Sequence, residues 1–119
     1  MQSAYDEFDD DLQAEKLDDA QRRVPRSNAL SRPAQPLDPI RPAYPREELE
    51  QGRKGRVLLE AFIDAAGSVE SVIVVDDNGL PDLALAAANA VRRAKFEPAE
   101  SADGKTRSRV TLRVDFRYE

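Results

Sequence analysis

The stretch RSRVTLRVDFRY, Arg107 to Tyr118, restricts the fold of this chain more than any other. Ser108, Val110, Leu112, Val114, Phe116 and Tyr118 alternate with Arg107, Arg109, Thr111, Arg113, Asp115 and Arg117. A period of two sustained this long predicts an antiparallel strand with one apolar face and one polar, mainly basic face. Such a strand needs a neighbour for its backbone hydrogen bonds and an apolar layer to cover one side.

Both are available upstream. In GRVLLEAFIDAAGSVESVIVVDDNG, Val57, Leu59, Ala61 and Ile63 share one face of a strand, DAAG supplies a turn, and Val69 to Val75 returns as a β-branched strand. The aspartates of DDNG, Asp76 and Asp77, read as turn formers, with Asn78 and Gly79 tolerating positive φ. From Pro81, PDLALAAANAVRRAK sets Leu83, Ala87, Ala90, Val91 and Ala94 on one helical stripe. Pro81 and Asp82 open that helix, and Arg92, Arg93 and Lys95 place positive charge at its negative end. Phe96 then enters the core, and Pro98 prevents the helix from continuing. A shorter helix is expected from Arg46 to Gln51, with Pro45 as its first residue and Gly52 closing it.

The expected fold is therefore α+β: two helices on one face of a three-stranded antiparallel sheet, built as hairpin, helix, strand. The hairpin's first strand lies in the middle, giving the order 2-1-3. The last strand is an edge, where charged side chains guard against unwanted pairing. The same edge can accept an added peptide strand.

The chain divides into three parts. Residues 1–24 form an acidic tail, partly helical or disordered, in which Tyr5, Phe8 and Leu12 keep helical spacing. Residues 25–44 form a proline- and arginine-rich extended linker that stays outside the core. Fully extended, this segment would reach on the order of 65 Å. Residues 45–119 hold the domain. The formal charge of -5 conceals a net -7 over residues 1–21 and +4 over residues 22–45. That asymmetry suggests a tail folding back on the basic edge.

Several function classes fall away. The chain has no cysteine and no histidine, which removes disulfides, thiolate chemistry and the usual zinc sites. It has no glycine-rich phosphate loop and no nucleophile elbow, so no enzyme is expected, and no cofactor, metal or small-molecule substrate. DEFDDD lacks the ligand spacing of a calcium loop. RNA or other nucleic acid is not an expected partner, because Phe116 and Tyr118 fall on the apolar side of the strand, away from the arginines. No apolar run approaches the length of a membrane span, and no signal peptide follows Met1.

With those features together, the chain resembles the C-terminal domain of the TonB family over residues 42–119. The resemblance is carried by Tyr44-Pro45 before a short helix, by GRVLLEAFIDAAGSV (Gly55 to Val69), by AVRRAKFEPA (Ala90 to Ala99) and by the terminal alternating strand. It implies a periplasmic, energy-transducing domain. Such a domain captures the TonB box, a short extended segment of an outer-membrane TonB-dependent receptor, as a strand beside its last strand. Active uptake of siderophores or nutrients would follow, driven by proton-powered motor proteins of the inner membrane. The implied partner-binding residues are Arg107, Arg109, Thr111, Arg113, Asp115 and Arg117. Arg41, Pro42 and Tyr44 stand where the family carries a Q-P-x-Y-P-like element, with Arg41 in place of its glutamine. The expected location is the periplasm with the inner-membrane anchor outside this chain, or the cytoplasm if the chain is complete. The alternative is a stand-alone adaptor of the same fold with no link to transport. Exposed edges also allow strand exchange between two copies, a homodimer.

Overall fold

The computed structural model describes residues 16–117. The stripe of Tyr5, Phe8 and Leu12 and the position of Tyr118 lie outside the described residues. Strands β2 (Gly55–Ile63), β3 (Val69–Asp76) and β7 (Ser108–Phe116) form an antiparallel sheet in the order β3-β2-β7. This is the expected 2-1-3 arrangement. The β2–β7 register runs unbroken from Gly55↔Phe116 to Ile63↔Ser108.

The alternation in β2 and β7 decides which side is covered. Val57, Leu59, Ala61 and Ile63 are fully buried and face helix α3 (Pro81–Arg93). Leu83, Ala84, Ala87, Ala88 and Val91 come down from that helix, and Val114 and Phe116 join from β7. Three alanines along the contact keep the helix close to the sheet. Helix α2 (Arg46–Glu50) is shorter by one residue than expected. Pro45 precedes it in an extended conformation (φ -59°, ψ 134°), and Gly52, at φ 70°, closes it while Arg53 N–H donates to the Glu48 carbonyl.

The turns follow their side chains. Asp64 Oδ1 accepts from the amides of Ala66 and Ser68. Asp76 and Asp77 accept from Asn78 and Gly79, as expected of turn formers. Gly67 is held more tightly. It sits at φ +92°, its carbonyl accepts the Phe96 amide at 2.9 Å, and a Cβ there would stand 2.0 Å from the Phe96 carbonyl oxygen. No other residue fits that approach.

After α3 the chain forms β4 (Phe96–Glu97) and then a small hairpin, β5 (Ala99–Ser101) with β6 (Gly104–Thr106), where only a turn was expected.

The linker requires a correction. It is extended, but it does not stay outside the core. Ala34 is 4% exposed and belongs to the main cluster, with Leu30, Ile40 and Tyr44 packed against it. Strand β1 (Gln35–Pro36) pairs with β4, and Arg32 and Glu100 exchange two backbone hydrogen bonds of 3.1 and 2.9 Å. Two things hold it there: backbone groups of the Lys95–Glu100 segment pair with the linker, and Leu30, Ala34, Ile40 and Tyr44 bury against the main cluster. Ahead of it, helix α1 (Asp19–Arg22) carries a capping box between Asp18 and Gln21. Leu17 and Val24, at its two ends, are buried against Phe62 on the sheet face opposite α3.

Candidate peptide-docking edge

Strand β7 lies at the edge of the sheet among the described residues. In an antiparallel pair, alternate residues turn their N–H and C=O toward the partner. The Arg109 amide donates to the Pro25 carbonyl at 3.0 Å and so points away from β2. Thr111, Arg113 and Asp115 share its parity and direct their backbone groups to the same outer side.

The side chains of these odd-numbered residues stand on the sheet face opposite α3, and the structure sorts them into two groups. At the start of the strand, Arg107 pairs with Glu70 at 3.0 Å. Arg109 is turned inward: its side chain is 11% exposed, Nε donates to the Val24 carbonyl at 2.8 Å, and Nη1 lies 3.5 Å from Glu60 Oε2. Thr111 donates its hydroxyl proton to Glu60 Oε1 at 2.8 Å. At the far end, Arg113 and Arg117 are exposed, and Asp115 pairs with Arg56 directly opposite it on β2 at 3.0 Å.

The linker element meets this far end only in part. Tyr44 packs edge-on against Phe116, with ring centroids 5.5 Å apart, and its hydroxyl donates to the Arg53 carbonyl. Pro42 is half-buried, and Arg41 is exposed. A cleft of about 250 Å³ separates Pro36 and Ile40 from Leu112–Asp115, and a second of about 390 Å³ lies between Lys54–Arg56 and Asp115–Arg117.

Glu60 was not singled out from the sequence. It is fully buried, and burial pushes its carboxyl above the usual carboxylate range, against the opposing pull of the Thr111 hydrogen bond and of Arg109 and Arg26. The available signal was its position: one acid inside the apolar run VLLEAFI. An acid there must be neutralised or paired by whatever lies across the strand.

Among the described residues no three or more His, Cys, Asp or Glu side chains gather to hold a metal. No helix there is long and apolar enough to cross a membrane.

The family model for the Gram-negative bacterial TonB protein C-terminal matches residues 40–118, from the end of the linker through β7. The chain belongs to this family. It is 34% identical over 76 residues to protein TonB2 of Pseudomonas aeruginosa, covering 64% of this chain and 28% of TonB2. The chain thus spans under a third of that relative's length. The solution NMR structure of the Pseudomonas aeruginosa TonB C-terminal domain superposes with a TM-score of 0.60 at 24% identity. That match covers 72% of this chain and 87% of the other, and supports the fold. Domains of this family are not enzymes. The TonB match begins after β1, so the residues that bridge Arg109 and pair with β4 precede the matched part.

Proposed function

We propose that this TonB-type domain works in the periplasm, capturing the TonB box of an outer-membrane TonB-dependent receptor by adding it as a strand to β7. Captured peptide and domain together would couple inner-membrane, proton-driven motor proteins to the receptor, supporting uptake of siderophores or other nutrients. The observation that carries this reading is the edge position of β7, a nine-residue strand inside the family-matched region with its odd-numbered backbone groups turned outward. Main-chain hydrogen bonds would supply most of the affinity, and alternate side chains would set register. Thr111, Arg113, Asp115 and Arg117 are the proposed side-chain contacts, while Arg107 stays with Glu70. Arg109, whose amide and guanidinium are held by the Pro25 and Val24 carbonyls, marks the end of the captured stretch, and Arg41, Pro42 and Tyr44 form a weaker flank.

The arm that meets Arg109 favours a second reading, a stand-alone adaptor whose edge is occupied at its start by its own chain and which is not coupled to transport. A backbone amide titration with a TonB-box peptide separates the two. Strand capture predicts shifts concentrated on β7 with little change in α3. Absence of shifts on β7 at millimolar peptide, with the fold intact, would overturn capture.

A further inference from the structure

The start of β7 already carries a short strand segment from its own chain. Arg26 and Arg109 form a single parallel bridge, the Pro25 carbonyl takes the Arg109 amide, and the Val24 carbonyl takes the Arg109 guanidinium. The next arm residue is held as well: Ser27 and Ser108 join their hydroxyls at 3.0 Å, both buried. Val24 and Leu17 seat this segment on Phe62. Beyond it, Arg32 pairs with Glu100 and β1 with β4, so the strap is anchored on both sides of its crossing. The arm does not extend its pairing along β7: the bridge involves one residue of each segment.

We infer that residues 24–27 act as a register stop for the captured peptide. This rests on strand capture at β7, and it goes further by fixing where an incoming strand must end. The Arg109 position is filled, so a partner pairs from Thr111 toward Arg117. The partner this surface fits is a short extended peptide spanning the three outward positions Thr111, Arg113 and Asp115. A longer partner would have to lift Val24 from Phe62 and release the Arg109 guanidinium, both buried contacts. The stop therefore discriminates by length and register, not by side-chain identity.

The contact is made by backbone carbonyls and an apolar side chain. It differs from the electrostatic fold-back that the charge blocks alone suggest, and it is expected to persist at high salt.

The test uses the full-length chain and two variants that loosen the seat, Val24→Asp and Leu17→Ser. A TonB-box peptide long enough to pair with all of β7 serves as probe, and the β2 amides report that each variant is folded. In the unmodified chain the peptide is expected to shift Thr111, Arg113 and Asp115 and leave the Arg109 and Val24 amides unmoved. In both variants the footprint should extend to Arg109, with affinity rising about threefold to tenfold for one added backbone pair. Equal shifts at Arg109 and Thr111 in the unmodified chain would overturn the stop, as would variants whose footprint and affinity do not change. Hydrogen exchange without peptide gives an independent reading: a fast-exchanging Arg109 amide in the unmodified chain would remove the stop even if capture were seen. A peptide that shifts no β7 amide in any form would instead overturn strand capture, and the stop with it.

Discussion

The central strand β2 is buried on both faces by different means. Toward α3 it presents Val57, Leu59, Ala61 and Ile63 to a dry layer of alanine, leucine and valine. On the other face it presents Leu58, Glu60 and Phe62, and there a small apolar cluster adjoins a buried carboxyl, a guanidinium and a hydroxyl. The first face is held by packing and loses stability when volume is removed. The second is held by paired polar groups, and its stability depends on the proton at Glu60. This contrast separates the part of the molecule that specifies the fold from the part that fastens the arm.

The largest effect is expected on the dry face. Leu59→Ala should cost about 3 kcal/mol, read as a lower urea midpoint with little pH dependence, because it leaves a cavity that rigid neighbours cannot fill. Arg109→Ala tests the other face and should cost about 2 kcal/mol at neutral pH. That is less than breaking a fully committed buried pair costs, because Glu60 can take a proton once the guanidinium is gone. Its cost should therefore shrink as the solution is acidified. A pH-independent loss would show that the two faces do not differ in this way.

Glu60→Gln sharpens the same point with a smaller change, within about 1 kcal/mol at neutral pH. The Glu60 carboxyl is raised in the folded chain above its ordinary value of 4.5, so the folded state binds a proton more tightly than the unfolded state. Its contribution is most favourable below that ordinary value and is lost as pH rises through the folded-state value. Denaturation midpoints from about pH 4 to 8 should show this downward step in the unmodified chain and lack it in the variant. The smallest effect belongs to the far end of β7. Asp115→Asn removes an exposed pair with Arg56 and should change stability by less than about 0.5 kcal/mol.

The dry face was legible in the sequence because it is written in periodicity. Alternation in β7, the alanine stripe of α3 and the aspartates of the two turns each report a local geometry, and the structure follows them. The arm face was not legible, for a physical reason. Ser27 and Ala34 are small and carry no apolar period, and Val24 is one apolar residue beside a proline. The pairing of Gln35–Pro36 with Phe96–Glu97 is made by backbone groups that every sequence contains. Arg109 looks like its neighbours Arg107 and Arg113 until the register sets Phe62 opposite it and Thr111 opposite Glu60. Glu60, an acid enclosed by apolar residues, was the one mark of this face that the sequence did carry.

The fastened arm also changes how far the domain can be held from whatever lies ahead of Leu17. Fastened at Arg109, Glu100 and β4, the segment from Val24 to Leu37 runs across the domain instead of ahead of it. Set free, it would add contour on the order of 40 Å. The strap is a folded reserve of tether, and tension on the chain ahead of it loads the Val24–Phe62 seat and the Arg26–Arg109 bridge before it reaches Tyr44.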